Sequence, residues 1–568
     1  MIPLRSWATA VWVVALAVGC GESRLSEARP RNLVLVTISS LRADHLSAYG
    51  YHRETSGDPE APGYTLDRLA EEGTRFANAF AVRAETIPSL ASLMTGMYPQ
   101  EHGVWTNGQM LPDEMETLAE TMREAGYSTA AFSAWPFLTR DTGVGQGFEE
   151  FHTDADAMAL IGHALVWVQS ERLRQRRVEN GPGCFLWLHL AAPHRPYDPP
   201  DHTGSLLEPL LRDRPGEDAD FLHRFGSGEP GSASLVVLDA AHRRGRALDM
   251  EAHDQVVALY DGEVALAAAQ LRHFLRRYNE DPRAASLTIR LREVLPDRVI
   301  QDLAMEWEKG NPLRVPREHA DVARRIVEEV VDTALVASDF KRMDADPLGC
   351  VQVGMEASRR AFTDDPVHLS DTLMVVTADH GEDLGERHGA YLHGPSVYDS
   401  ALRVPLIVRY PRFQGGVKEG RVAPNVVDGT DLAPTLAGLM GVRHPRGSRG
   451  RDLSLALLGL EDFPVGRAFA QQTGGIRTVR DRRWRLVTNP AGAGIDGPYP
   501  VATVELYDHL DDPRELRDVS DLHPGVRGRL IDALETWRVG LRRSTALPSG
   551  RRPEEWDAAG CPLPGKMR

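Results

Sequence analysis

The stretch Asp371–Gly394, DTLMVVTADHGEDLGERHGAYLHG, decides the fold. Its apolar run Leu373–Val376 predicts a buried strand of a parallel sheet, because both faces are apolar and β-branched residues favour the extended conformation. In open α/β sheets, ligands bind where such strands end. A polar loop is the alternative, but glycines and five candidate ligands follow the strand at once and favour a site for a small ion or an anion: Asp379, His380, Glu382, His388 and His393.

Two other apolar runs predict strands of the same kind. They are Asn32–Ile38, NLVLVTI, and Phe185–Leu190, FLWLHL. The carboxyl ends of parallel central strands face the ligand-binding edge of a sheet, so the residues at these ends are expected near the site. Those residues are Ser39 after the first run and His189 within the end of the second.

A helix that begins near Thr86 supplies a candidate nucleophile. In Glu85–Gly96, ETIPSLASLMTG, Pro88 is suited to the first turn of a helix because its missing N–H would be unpaired there anyway. This places Thr86 just before the helix, among unpaired N–H groups and at the positive end of the helix dipole. An anionic ester could be bound and attacked there, and Thr86 could also act as a simple N-cap.

The central stretch resembles the C-terminal metal motif of the sulfatase branch of the alkaline phosphatase superfamily, and the likeness continues into Tyr398–Pro411, YDSALRVPLIVRYP. Matching segments recur in family order from Arg31 to about Val519. The resemblance implies an α/β fold with a mostly parallel central sheet flanked by helices. It also implies a small α+β subdomain with an antiparallel sheet near the C-terminus.

The resemblance implies a metal site at Asp379, His380 and Thr86, with a fourth, degenerate position at Ser39. The family pattern I-D-T-L-R-A-D-H reads ISSLRADH here, over Ile38–His45, so a serine replaces the acidic ligand. A hydroxyl is neutral and a weaker ligand than a carboxylate. Asp44 lies too far along the chain to be the same ligand without rearrangement, and it is better explained as a loop residue.

The nucleophile position also departs from that of most relatives. Sulfatases that carry formylglycine have C-x-P-S-R or S-x-P-S-R, whereas this chain has Thr86 in the first place and Leu90 in the last. The resemblance therefore implies no formylglycine. The T-x-P-S form resembles that of relatives that transfer phosphate or headgroups, in which the threonine is both nucleophile and metal ligand.

Further site residues are implied by the segment HLAAPHRPYDPP, His189–Pro200, which resembles the family's H-x-x-x-P-H-x-P-Y-x-P-P. Histidines at a strand end can bind an ester oxygen or protonate a leaving group near neutral pH. The resemblance implies catalytic roles for His194 and His393 at the ester oxygens. It implies substrate binding by His189 and Arg42, although a lone histidine at such a place is often structural.

The domain organisation follows from composition and from the same resemblance. Residues 1–20 are expected to be a signal of the bacterial lipoprotein type, with Cys20 lipidated, and residues 21–30 a tether. A plain secretory signal or an uncleaved anchor is the alternative. Residues 31–460 would form the catalytic domain, with a helical insertion at 278–368, and residues 461–568 the C-terminal subdomain.

Composition limits the possible partners. The 568 residues carry a net charge of −16, which argues against nucleic-acid binding because phosphate backbones attract clustered Lys and Arg. Only three cysteines follow Cys20, so no disulfide framework is indicated.

Three functions remain open at this point. The leading one is an exported, lipid-anchored, metal-dependent hydrolase of sulfate or phosphate esters, acting on small molecules, glycans or lipids. It would use one divalent ion, Mn²⁺, Zn²⁺ or Ca²⁺, of which Mn²⁺ and Zn²⁺ suit a set of ligands that mixes oxygen with imidazole better than Ca²⁺ does. The second is a phospho-headgroup transferase. The third is a non-catalytic binding lipoprotein with the same fold, for which Ser39 is the main support.

Overall fold

The computed structural model describes residues 29–544 except 58–63, 178–180, 195–196, 198–249, 280–286, 288–289, 293, 309–310, 332–334, 364–368, 387–390, 392, 395, 412–419, 473 and 490–503. Its strands are β1 Asn32–Ile38, β2 Thr74–Phe80, β3 Ser128–Ser133, β4 Glu150–Thr153, β5 Cys184–Leu190, β6 Thr372–Ala378, β7 Arg403–Val404, β8 Leu406–Arg409, β9 Arg421–Asp428, β10 Ala468–Gln471, β11 Arg477–Arg480, β12 Trp484–Thr488 and β13 Val504–Asp508. Its α-helices are α1 Leu66–Glu72, α2 Thr86–Thr95, α3 Pro99–His102, α4 Leu118–Glu124, α5 Ala157–Arg177, α6 Met250–Tyr278, α7 Asp297–Glu308, α8 Ala320–Val331, α9 Ala337–Ala345, α10 Cys350–Thr363, α11 Asp399–Leu402, α12 Leu432–Met440, α13 Ser454–Leu457 and α14 Pro524–Ser544.

The larger sheet has the order β4-β3-β5-β1-β6-β8-β2-β7, and β9 also pairs with β2. Its five strands from β4 to β6 are parallel, whereas β8 runs antiparallel to both of its neighbours. The three apolar runs singled out in the sequence are therefore adjacent central strands, and every residue of each is buried. The predicted fold class, α/β with a mostly parallel central sheet, is confirmed.

The register of these central strands determines which residues meet at their carboxyl ends. Ile38 of β1 lies opposite Ala378 of β6 on one side and opposite Leu190 of β5 on the other. The next residues along the chain, Ser39 and Asp379, consequently leave the sheet side by side. The degenerate position and the central motif are thus brought together by strand pairing, although 340 positions separate them in the chain.

The smaller sheet is antiparallel, with the order β10-β11-β12-β13. Helix α14 follows the last of these strands in the chain. Leu530 and Leu534 of α14 pack with Val479, Leu486 and Leu506 of the sheet to form a separate hydrophobic core. This is the predicted small α+β region.

The described residues form two compact units, with divisions after Trp167, Glu179, His273 and Leu369. The second unit is helical and includes α7 to α10. Its core is formed by buried apolar residues, among them Leu291, Leu303, Ala323, Ile326, Val327, Met343, Val351 and Ala357. Within the described part of the chain, no helix has both the length and the apolar content needed to cross a membrane.

Candidate active site

Asp379 lies at the centre of the site and is fully buried. One carboxylate oxygen, Oδ1, accepts backbone N–H bonds from Ser40 at 3.0 Å and His380 at 2.8 Å. The other oxygen, Oδ2, accepts the hydroxyl of Ser39 at 3.3 Å. Burial alone would raise the pKa of Asp379, but His380, His189 and the two N–H donors hold that pKa below its ordinary value. Asp379 is therefore a buried carboxylate that stays ionised.

His380 has a defined tautomer. Its Nδ1 lies 2.8 Å from the carbonyl oxygen of Gly381, and because a carbonyl only accepts, Nδ1 must carry the proton. Its Nε2 therefore presents a lone pair, and it lies 3.3 Å from the hydroxyl oxygen of Thr86. Burial lowers the pKa of His380 to about 4, which keeps the ring neutral at physiological pH.

Thr86 is the first residue of α2, with Glu85 as the N-cap, so the prediction that it precedes the helix was wrong by one position. Its side chain faces His380 instead of capping the helix. The N–H of Ile87 donates to Oδ1 of Asn107 at 2.9 Å, so this helix N–H has a partner, contrary to the prediction of unpaired groups around Thr86. A local sequence pattern could not reveal this hydrogen bond, because Asn107 lies 20 positions after Ile87 in the chain.

Four atoms that could bind a metal ion lie next to one another, one each from Ser39, Asp379, His380 and Thr86. Ser39 Oγ to Asp379 Oδ2 is 3.3 Å, Oδ2 to His380 Nε2 is 3.4 Å, and Nε2 to Thr86 Oγ1 is 3.3 Å. Neighbouring ligands of one divalent ion, bound at about 2.1–2.4 Å, lie roughly 3.0–3.4 Å apart. The set fits such an ion in atom type and spacing. It holds a single formal negative charge because Ser39 contributes none.

A row of imidazole rings leads outward from Thr86. The ring centroids of His380 and His393 are 4.3 Å apart, and those of His393 and His194 are 5.2 Å apart. Nδ1 of His393 lies 3.0 Å from the buried carboxylate of Glu382, so His393 can reach an ester oxygen only through Nε2. The structure thus places Thr86 and the three histidines in one continuous path from the core toward partly exposed residues.

His189 lies beside this path and is completely buried. Its Nδ1 is 2.8 Å from the hydroxyl of Thr37, and that hydroxyl also accepts the indole N–H of Trp187 at 2.9 Å. Nε2 of His189 has no hydrogen-bond partner among the described residues. Burial lowers the pKa of His189 to about 4, although the Asp379 carboxylate opposes that shift.

Arg42, for which substrate binding stays a prediction, lies in a buried network of acceptors. Its guanidinium donates twice to the carboxylate of Asp44, at 3.0 and 2.8 Å. It also donates to the carbonyl of Glu382 at 3.0 Å and pairs with Glu386 at 2.5 Å. These partners hold Arg42 in an internal ion-pair network that joins Asp44, two positions along the chain, to Glu386, 344 positions along it. Asp44 is accordingly a partner of Arg42, away from Asp379.

A second group of possible metal ligands comprises Asp399, His509 and Glu515. In this group Arg485 forms ion pairs with both carboxylates, including one at 2.7 Å between its Nε and Oε1 of Glu515. The cation that balances these carboxylates is therefore a side chain of the protein. We assign this group a structural role.

Sequence reasoning missed two residues that fix the site. The hydroxyl of Ser89 donates to the main-chain carbonyl of Asp379, which joins α2 to the end of β6. The hydroxyl of Tyr260 donates to the carbonyl of Ser40 at 2.7 Å and accepts the N–H of Arg42 at 2.9 Å. Only the folded chain shows these partners of Tyr260, because they lie 220 and 218 positions away in the chain. Cys20 and His388 lie outside the described residues.

The chain is similar to proteins of a known family. A family model described as Sulfatase matches residues 31–275 and 366–442. The N-acetylgalactosamine-6-O-sulfatase of Bacteroides thetaiotaomicron is 31% identical over 574 residues, which covers 92% of this chain and 97% of the relative. The N-acetylglucosamine-6-O-sulfatase of the same organism is 24% identical over 539 residues, which covers 88% and 84%.

Solved structures of other proteins share the fold of this chain. The crystal structure of the phosphonate monoester hydrolase of Agrobacterium radiobacter superposes with a TM-score of 0.56 at 19% identity, covering 92% of this chain and all of that one. A structure solved in complex with D-glucosamine-2-N,6-O-disulfate gives a TM-score of 0.54 at 19% identity, covering 91% of this chain and 99% of that one.

Proposed function

Because this chain belongs to the sulfatase family, we propose that it hydrolyses sulfate esters with Thr86 as the nucleophile. The observation that carries the proposal is the contact between the Thr86 hydroxyl and Nε2 of His380, at 3.3 Å, next to the buried Asp379 carboxylate. A nucleophile must lie within reach of a group that lowers the barrier to its ionisation. Nε2 meets this requirement because Nδ1 already donates to Gly381.

In the proposed reaction the Thr86 oxygen forms a bond to sulfur as the bond between sulfur and the ester oxygen breaks. The proton of the Thr86 hydroxyl passes to Nε2 of His380. The departing alcohol oxygen takes up a proton from the ring of His194 or from Nε2 of a doubly protonated His393, whose Nδ1 donates to Glu382. Water then cleaves the sulfated Thr86, which releases sulfate and restores the hydroxyl. The same steps apply to a phosphate ester.

A divalent ion, if bound, would be held by Asp379 and by Nε2 of His380, which would then not be available as a base for Thr86, with weaker contributions from Ser39 and Thr86. It would lower the pKa of the threonine hydroxyl and neutralise charge on the ester oxygens. The protein's own part is to keep Asp379 ionised, to aim Nε2 of His380 inward and to hold α2 against β6 through Ser89. With one carboxylate in the set, we expect the affinity for the ion to be low.

The names of three relatives support a proposal for the substrate class. Two of them are named for 6-O-sulfated amino sugars, and another, from Formosa agariphila, is named for ulvan. We propose a sulfated sugar or glycan as substrate for this chain. We also propose export and lipid attachment at Cys20, on the basis of residues 5–20 alone. Cys20→Ser should then move the protein from the membrane fraction to the soluble fraction.

One observation favours a second candidate, a binding protein that does not turn over its ligand. The hydroxyl of Ser39 occupies the position of the acidic ligand and donates to Asp379, so the remaining carboxylate already has three hydrogen-bond donors. A carboxylate that already accepts three hydrogen bonds depends less on a bound metal ion to compensate for its buried charge. Such a protein would bind sulfated sugars without hydrolysing them.

The deciding experiment combines metal analysis with turnover. Purified protein is assayed for Mn, Zn and Ca by mass spectrometry and for hydrolysis of an aryl sulfate, an aryl phosphate and 6-O-sulfated N-acetylglucosamine. The proposal expects metal-stimulated release of sulfate, which Asp379→Ala abolishes. Binding of the sulfated sugar without turnover at any metal concentration would replace the proposal with the second candidate.

A further inference from the structure

We propose that the buried ion-pair cluster of Asp399, Arg485 and Glu515 is a positioning element for the active-site segment that follows His380. The inference rests on the proposed function only in treating that segment as part of a catalytic site. The cluster lies between β12, which carries Arg485, the loop after β13, which carries Glu515, and the short helix α11, which begins at Asp399. Nothing in the reaction proposed above uses it directly.

The cluster holds α11 through several contacts at once. The guanidinium of Arg485 pairs with Asp399 and donates to the carbonyl of Val397 at 2.9 Å. Oε2 of Glu515 accepts the backbone N–H of Asp399 at 2.9 Å. Burial alone would raise the pKa of Asp399, but His509, Arg485 and a further arginine hold that pKa far below its ordinary value, so the pair remains charged.

The segment around α11 has two more attachments to the antiparallel sheet. The side-chain amide of Gln472 donates to the carbonyl of Ser396 at 2.7 Å. The hydroxyl of Tyr398 donates to Oε2 of Glu505 at 2.7 Å. Residues from three separate parts of the C-terminal region therefore fix the chain from Ser396 to Asp399.

The fixed segment in turn supports the active-site segment. The carbonyls of Ala401 and Ser400 accept the N–H groups of Gly381 at 2.8 Å and Glu382 at 3.0 Å. A side chain at Gly381 could not be accommodated, because its Cβ would lie 2.2 Å from the carbonyl oxygen of Ser400. The carbonyl of Gly381 is the group that fixes the tautomer of His380. Movement of α11 would therefore alter the direction of Nε2 of His380.

The backbone conformation of Glu515 is a second reason to assign this cluster a positioning role and not only a stabilising one. Glu515 has a φ of 57°, a left-handed conformation that is unfavourable for a residue with a side chain. Buried ion pairs also contribute little net stability compared with apolar replacements of similar volume. We therefore explain the strained backbone at Glu515 by the position in which its carboxylate holds Asp399 and Arg485.

The test is amide hydrogen exchange measured by mass spectrometry on the full chain, following peptides that contain Gly381 and Glu382. Two variants weaken the cluster: Arg485→Met removes the guanidinium, and Glu515→Gln keeps the shape but removes one charge. Arg483→Met is the matched control, since Arg483 lies on the same hairpin and its ion pair with Asp508 is partly exposed. Thermal unfolding of each variant is recorded in parallel.

We expect exchange at Gly381 and Glu382 to be about tenfold faster in both cluster variants, the change that weakening a charged hydrogen bond produces. Arg483→Met should leave it unchanged. The proposal is overturned if exchange there is unaltered in folded Glu515→Gln, or if Arg483→Met accelerates it equally. If Arg485→Met does not fold, Glu515→Gln decides. Exchange needs neither substrate nor metal, so an inactive wild-type protein would contradict the proposed function and leave this test intact.

Discussion

Two buried polar clusters in the first unit differ in how their charge is balanced. Around Asp379 the contacting groups in the described residues are hydroxyls, backbone N–H groups and neutral histidine, and no lysine or arginine contacts the carboxylate. Around Asp399 the neighbours are Arg485, Arg480, Glu515 and His509, and the arginines balance the acids.

The difference shows that density of acids and histidines does not identify a metal or catalytic site. Asp399, His509 and Glu515 are the denser group, yet a guanidinium already lies among them. A buried carboxylate without a cationic side chain is the more informative feature, because an ion pair or a bound cation is the usual way to retain such a charge. This reasoning assigns chemistry to Asp379 and positioning to Asp399.

The largest expected effect is that of Thr86→Ala. If the Asp379 cluster is the catalytic one, this change should reduce ester hydrolysis by on the order of 10³-fold or more, because no other group can take the place of the nucleophile. The loss of stability should stay near ~1 kcal/mol. Thr95→Ala makes the same change on the same helix, where the hydroxyl donates to the carbonyl of Ala91 and accepts the N–H of Met97. Residual turnover at the wild-type rate in Thr86→Ala would contradict the assignment.

The next effect concerns Ser39→Asp, which would restore a second carboxylate next to Asp379. Without metal, two adjacent buried carboxylates repel each other, so the melting temperature should fall. Divalent metal should restore it, and its affinity should rise by at least ~10-fold, since even outer-shell changes alter affinity by that much. Calorimetry with and without Mn²⁺ measures both quantities. Ser39→Asn, similar in shape but neutral, should show neither change, and equal behaviour of the two variants would show that charge at this position is irrelevant.

Acid should disturb the Asp379 cluster because its histidines are buried in the neutral form. The pKa of His380 and that of His189 are each lowered to about 4, so the unfolded chain, with a histidine pKa near ~6.5, binds more protons below that pH. Stability is therefore complete above pH ~6.5 and declines as the pH falls toward about 4. At pH 5.5 each histidine should lower the free energy of unfolding by ~1.4 kcal/mol. Urea unfolding at pH 7.5 and 5.5 measures this, and His189→Gln should reduce the difference between the two.

The smallest effect compares two backbone positions. Among the described residues, only Ser40 and Glu515 are non-glycine residues with positive φ, 56° and 57°, and each belongs to one of the two clusters. Ser40→Gly should stabilise the protein by ~1 kcal/mol, because it relieves the left-handed backbone and removes a buried hydroxyl without a partner. Glu515→Gly should destabilise it, because the ion pair with Arg485 is lost. Thermal unfolding of both variants would test whether the ion pair with Arg485 compensates for the unfavourable backbone conformation of Glu515.

Local pattern was sufficient for the elements of the central sheet. Asn32–Ile38 and Phe185–Leu190 are strands because continuous apolar runs can be buried on both faces only in such a sheet. The start of α2 was misplaced by one residue because helix boundaries depend on caps supplied from elsewhere, here by Asn107. The roles of Thr86, His194 and His393 stay predictions, although the structure brings these residues into one path.

The sequence by itself determined the fold class, the family and the candidate residues, because apolar runs, glycines and motif spacing are local properties of the chain. Tertiary structure decided which of those residues meet. Strand register set Ser39 beside Asp379, the carbonyl of Gly381 fixed the tautomer of His380, and Asp44 and Glu386 hold the guanidinium of Arg42 in an ion-pair network. The first of these outcomes depends on groups 340 positions apart in the chain, and the others depend on backbone and side-chain conformations that only folding determines.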